Sequence, residues 1–101
     1  MAAYLIVNYQ VDDADGYAEY QGGAAPALKI GSECDVLVLD PATTQLEGEG
    51  AGHQTVVLKF DSMERAREIY ESDAYQAVLP KRIGATSKHF ALLCEGFEMP
   101  G

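Results

Sequence analysis

Few residues in this chain have the chemistry to act on a ligand. It has two histidines, His53 and His89, and an imidazole titrates near neutral pH, so either is a candidate general base. His89 falls in a strand-like run, in phase with the interior of a barrel. Its plainer role is an exposed or hydrogen-bonded residue near the start of an edge strand. His53 lies in a glycine-rich loop at the mouth of the expected cleft, where a solvated histidine is the plainer reading. Arg82 follows a helix break at Pro80, and a guanidinium there can clamp a carboxylate or enolate through two parallel N–H donors. The competing role is a helix-end cation that satisfies free carbonyls or pairs with an acid. Lys59 can neutralise an anionic ligand or pair with Asp35, and the pair is favoured. Asn8 sits in a central strand, where its amide must find a partner in protein, water or ligand. It marks a polar cavity. Tyr17, Tyr20, Tyr70 and Tyr75 look like a pocket lining, but their helical spacing makes them core residues with hydroxyls reaching the rim.

Several chemistries have no support. There is no glycine-rich phosphate loop, Cys-x-x-Cys, His-Glu-x-x-His or Gly-x-Ser-x-Gly elbow. Glu47 and Glu49 lack the oxygen spacing of a calcium loop. Neither a bound metal nor a cofactor is expected; a haem would depend on His89 as its axial ligand. Sixteen acidic against seven basic residues give a net charge of −9, whose field repels phosphate backbones and anionic lipid. Nucleic acid and membrane are therefore not expected partners. Without a basic, apolar leader the chain reads as cytoplasmic, with Cys34 and Cys94 as free thiols.

The elements that must position these residues follow from periodicity. The 101 residues suit one domain with a thin core. One pattern occurs twice: an apolar strand, an acidic helix start, then a helix with tyrosines. Ala3 to Val11 alternates Leu5, Val7, Tyr9 and Val11 against Tyr4, Ile6, Asn8 and Gln10, the signature of a strand with two partly apolar faces. Asp12 or Asp13 caps a helix whose Tyr17, Tyr20, Ala24 and Leu28 form one stripe. A bend is expected at Gly22 to Pro26 and a stop at Gly31. Cys34 to Leu39 is a second strand, Ala42 to Gln54 a long connection, and Thr55 to Phe60 a third strand. Asp61 or Ser62 caps a helix with Ala66, Ile69 and Tyr70 inward and Glu64, Arg65, Arg67, Glu68 and Glu71 outward. Ser72 or Asp73 starts a short helix that Pro80 breaks, and Lys88 to Glu95 is the last strand, alternating His89, Ala91 and Leu93 with Phe90, Leu92 and Cys94.

Strand, helix, strand, strand, helix, strand is the βαββαβ order of the ferredoxin-like fold, an α+β sandwich with one four-stranded antiparallel sheet. All helices then cover one sheet face. A bare, half-apolar opposite face calls for a second copy of the chain, so a homodimer is expected. Cys34 and Cys94 fall on opposite sheet edges and cannot pair.

Certain residues carry a family resemblance over nearly the whole chain. They are Tyr4-Leu5-Ile6, Val11-Asp12 before Tyr17-Ala18-Glu19-Tyr20, Leu46-Glu47-Gly48, Phe60-Asp61-Ser62 with Glu64, Ala66, Tyr70, Ser72 and Tyr75, then Arg82 and Gly96. As a set they resemble the bacterial "domain of unknown function thirteen-thirty" family of the dimeric α+β barrel superfamily. Ile69, Leu39-Asp40-Pro41 and Gln54-Thr55 depart from its usual residues. The resemblance implies the fold and a dimer, and it adds Arg82 as a position the family tends to keep. The wider superfamily includes cofactor-free monooxygenases, isomerases and haem enzymes, an analogy of fold alone.

Together these readings predict a barrel or cleft that binds a small anionic or aromatic molecule. Any reaction there would be cofactor-independent proton transfer or oxygenation, with Arg82 holding the anion, His89 or His53 moving a proton and Asn8 orienting the substrate. The alternative is a non-catalytic dimeric interaction module whose acidic surface, including Glu64, Glu68 and Glu71, meets a basic partner.

Overall fold

Alternating residues of the first strand set the layers. The computed structural model describes residues 1–100. Strand β1 (Ala3–Val11) buries Ala3, Leu5, Val7 and Tyr9 on one face. It is flanked by β3 (Gln54–Phe60) and β4 (Thr86–Glu95), and β2 (Cys34–Asp40) lies outside β3. The order β2-β3-β1-β4 is antiparallel throughout. With α1 (Ala14–Ala27), α2 (Met63–Tyr70) and α3 (Asp73–Ala85), the elements form a ferredoxin-like α+β sandwich. Cys34 and Cys94 stand on the two outer strands.

Each helix begins at a side-chain cap that satisfies a free first-turn amide. Gly16 N donates to Asp13 Oδ1 at 3.1 Å, Arg65 N to Ser62 Oγ at 3.1 Å, and Tyr75 N to Ser72 Oγ at 3.3 Å. The break expected at Pro80 is absent. Helix α1 runs unbroken through Gly22 and Gly23, holds Pro26 in its last turn, and ends at Ala27 with Leu28 as its C-cap, before Gly31. Helix α3 runs through Pro80 to Ala85. An interior proline costs a helix about 3 kcal/mol. Here α3 packs along α1 and buries Tyr75, Arg82 and Ala85, and tertiary packing overrides local propensity. Arg82 therefore lies inside a helix rather than beyond its end. The last strand correspondingly starts at Thr86, two residues before the expected Lys88.

The core joins Leu5, Val7, Leu58, Phe60, Ala66 and Ile69 between sheet and helices. The opposite face carries Ile6, Val57, Val38, Phe90 and Leu92, with Val38 39%, Phe90 47% and Leu92 52% exposed. No helix is long and apolar enough to cross a membrane among the described residues.

Candidate functional site: a tyrosine cage around Arg82

Burial on the helix-covered face brings five tyrosines and one arginine together. Tyr9 ends the buried row of β1, Tyr17 and Tyr20 lie one helical turn apart on α1, Tyr70 closes α2 and Tyr75 opens α3. Burial forces buried phenol hydroxyls to find partners. Tyr9 pairs with Tyr17, hydroxyl to hydroxyl, at 2.6 Å, and Tyr20 with Tyr75 at 2.7 Å. The rings of Tyr17 and Tyr20 stack at 5.8 Å, and those of Tyr70 and Tyr75 lie 5.0 Å apart.

Arg82 is only 3% exposed and sits within this cage. Its guanidinium carbon lies 5.2 Å from the Tyr9 ring centre and 5.8 Å from that of Tyr20, within cation–π range. Its Nε has no hydrogen-bond partner. Among the described residues the ion pairs belong to Arg65, Arg67 and Lys81, so no carboxylate balances Arg82. Burial opposes its charge, the oxygens of Tyr75 and Tyr20 support it, and the balance is upward from the ordinary arginine value. Burial, reinforced by the bond to Tyr17, pushes the Tyr9 hydroxyl well above the ordinary phenol range. Burial and Tyr75 do the same to Tyr20. The cage is thus a fixed cation among neutral hydroxyls.

Four of the tyrosines, Tyr9, Tyr17, Tyr20 and Tyr75, wall a cavity of about 170 Å³. Its remaining lining is almost entirely aliphatic, from α1, β1, β3 and β2. Ile30, Val36 and Leu39 are 38%, 44% and 57% exposed. They place the mouth at the β2 edge, and the tyrosines form the inner wall. A second cavity of about 200 Å³ lies between α2 and β4. Its rim carries Arg67 and Glu71, which neutralise each other at 3.5 Å.

The other sequence candidates lie elsewhere. Asn8 faces the open side of the sheet, 6% exposed, with its amide engaged by protein. Its Nδ2 donates to Gly52 O at 3.1 Å, Gln54 O at 3.2 Å and Thr55 Oγ1 at 3.0 Å, while Oδ1 accepts from Gly52 N at 2.7 Å. Asn8 thereby clamps the β2–β3 connection onto β1. His53 belongs to the same connection, where its Nε2 accepts Val11 N–H at 3.4 Å. Lys59 stands exposed opposite Asp35 in register, yet among the described residues the expected ion pair is not formed.

His89 falls out of phase with the barrel face expected for it. Between the pairs Asn8↔Phe90 and Gln10↔Ser87, β4 has two residues, Lys88 and His89, against Tyr9 alone. Lys88 has φ 54°, the mark of a bulge. Ala91 and Leu93, in phase with His89, oppose Val7 and Leu5 on the helix-covered face. His89 is exposed and does not share a face with Asn8. Neither histidine lines the groove.

Sequence reasoning found Arg82 and four cage tyrosines but missed Tyr9 as a member. The available signal was a polar-tipped aromatic in phase with Leu5 and Val7, because a buried hydroxyl on a core face requires a partner.

A four-stranded antiparallel sheet with helices on one face and a βαββαβ order places the molecule among ferredoxin-like α+β proteins. Within that class the chain belongs to the family described as Domain of unknown function (DUF1330), which matches residues 2–97. Its fold is similar to a protein of unknown function from Rhodopseudomonas palustris, with TM-score 0.76 and 13% identity over 97% of this chain and 84% of the other. An ethyl tert-butyl ether D family protein from Bacillus halodurans gives TM-score 0.66 and 19% identity over 96% and 100%. A dimeric ferredoxin-like protein of unknown function from Thermobifida fusca gives TM-score 0.60 and 13% identity over 92% and 89%. No curated protein matches the sequence.

Proposed function

We propose that the protein is a homodimer whose tyrosine-walled groove binds a small organic anion or aromatic molecule. The observation that carries this reading is Arg82: buried, charged, lacking a carboxylate partner, and stacked on two of the rings that wall the cavity. A buried charge without a counter-ion is unfavourable, and a bound anion at the tyrosine wall supplies the missing balance. The tyrosine hydroxyls are the donors nearest the ligand, with Arg82 behind them as the source of positive potential. Like Arg82 itself, Lys59, Asn8 and the two histidines stand outside the groove lining, but Asn8 and His53 are bonded between β1 and the β2–β3 connection, and Lys59 and His89 are exposed. The apolar open sheet face supports the dimer, as does the dimeric Thermobifida fusca protein of the same fold.

The interaction-module reading rests on free acidic charge. Two of its three acids, Glu68 and Glu71, lie 3.9 Å from Arg65 and 3.5 Å from Arg67, which weakens that argument.

The test is a thermal-shift screen of small carboxylates, lactones, quinols and aromatic acids against the native protein and Arg82→Met. A ligand at a hundred times its dissociation constant stabilises by about 2.7 kcal/mol. The expected result is a shift in the native protein that is lost in Arg82→Met. Equal shifts in both proteins, or none with any compound, would overturn the reading. Light scattering tests the dimer, which Phe90→Asp combined with Leu92→Asp is expected to split.

A further inference from the structure

Resting on that site, charge and polarity narrow the ligand further. We infer that the groove takes a monoanionic organic acid that arrives already ionised, enters body-last from the β2 edge, and carries a single apolar body about the size of a benzene ring.

The orientation follows from the lining. Ile30, Val36 and Leu39 at the mouth are aliphatic and part-exposed, while Tyr9, Tyr20 and Tyr75 inside are 2%, 7% and 2% exposed. An amphiphile therefore places its polar head inward and its apolar body between α1 and the β2–β3 strands.

Charge follows from a count. The cage holds one cation, Arg82, and no carboxylate; Glu19 on α1 and Lys81 on α3 are exposed and 4.0 Å from each other. One negative charge balances the site. A second would be desolvated without a partner.

Arrival in ionised form follows from which groups surround the head. They are Tyr9 of β1, Tyr17 and Tyr20 of α1 and Tyr75 of α3, with Arg82 behind the rings of Tyr9 and Tyr20, and none of these side-chain types is a base near neutral pH. Burial raises Tyr9, Tyr17 and Tyr20 further. With His53 and His89 outside the lining, the site has no base to ionise a weak acid. Carboxylic acids meet this condition in water and simple phenols do not. Size follows from the cavity of about 170 Å³, close to the roughly 150 Å³ that encloses benzene in an engineered cavity.

The experiment is calorimetric titration of the full-length protein with phenylacetate, hexanoate, their uncharged amides, and the dianion adipate. Native protein is compared with Arg82→Met, Arg82→Lys and Val56→Phe, each first checked for folding by circular dichroism. The monocarboxylates are expected to bind at least tenfold tighter than their amides and than adipate. Arg82→Met should lower acid affinity to the level of the amide without changing the amide, and Arg82→Lys should restore the preference. Val56→Phe, which fills the groove, should abolish both. Lowering pH should weaken acid binding only where the acid itself becomes protonated. Equal binding of acid and amide to the native protein would overturn the monoanion inference and leave the groove as a ligand site. Acid binding that is indifferent to all three variants would overturn the groove itself. If none of the five compounds binds, the inferred ligand class is wrong, whatever the wider screen finds.

Discussion

Asn8 and Arg82 are the two most instructive buried polar side chains, and they are opposites. Asn8 is 6% exposed and engages both ends of its amide through four hydrogen bonds, all to Gly52, Gln54 and Thr55. Arg82 is 3% exposed, stacked on tyrosine rings, with an orphaned Nε and no counter-charge. A satisfied polar group holds structure together, whereas a buried charge left unbalanced is retained against stability. The first region is a fastening; the second leaves a buried charge without a counter-charge among the described residues.

Mutation breaks the two regions differently. The largest expected effect is at Gly52, where an added Cβ would lie 2.0 Å from the carbonyl carbon of Tyr9 and 2.4 Å from Gln10 N. Those atoms are backbone of the central strand and cannot yield. Gly52→Ala is expected to lose more than about 4 kcal/mol in urea unfolding; tolerance within about 1 kcal/mol would mean the connection is not clamped onto β1. Asn8→Ala comes next. It strands the Gly52 N–H and two carbonyls and is expected to lose about 2 to 4 kcal/mol, with groove affinity unchanged. Loss of ligand binding without loss of stability at Asn8 would reverse the comparison.

Tyr20→Phe removes one hydroxyl pair and should cost about 1 kcal/mol at pH 7. It also sharpens the contrast through pH. Tyr9 and Tyr20 are held above the ordinary phenol value of about 10, so the unfolded chain gives up these protons first. Their stabilisation is full below about pH 10 and is lost as pH rises through the folded-state values. Native protein should lose stability steadily above about pH 10, and Tyr20→Phe should lose it less steeply. An unchanged slope would mean that the tyrosines are not sealed in the cage. The smallest expected effect on folding is Arg82→Met. Methionine keeps the packed stem and removes the unpaired charge, so stability should stay within about 1 kcal/mol of native or rise. A loss as large as that of Asn8→Ala would make Arg82 a structural residue.

Local rules sufficed for much of the fold. Alternation around Leu5, Val7 and Tyr9 marked β1, and the pattern of short side-chain oxygens before apolar stripes located all three helix starts. Local signals misplaced the ends. Pro80 and the Gly22–Gly23 pair are breakers by propensity, yet α1 and α3 run through them because packing between the helices outweighs the local penalty. That extension places Arg82 in the last turn of α3, buried in the cage, instead of beyond the helix in solvent.

The site was legible as a set of residue types and not as an arrangement. Arg82 and the helical tyrosines were visible as candidates, but the hydroxyl pairing across 55 residues between Tyr20 and Tyr75 is a long-range fact that no local pattern encodes. The last strand is similar: alternation groups His89 with Ala91 and Leu93, but only the pairing of those two with Val7 and Leu5 shows that this face lies under the helices and not on the open side. By itself, then, the sequence determined the order of elements, their caps, their apolar faces and the family, since each depends on neighbours a few residues apart. Tertiary structure alone decided that the Asn8 amide is satisfied and that Arg82 Nε is not. Whether a buried polar group finds a partner depends on which distant strands and helices close around it.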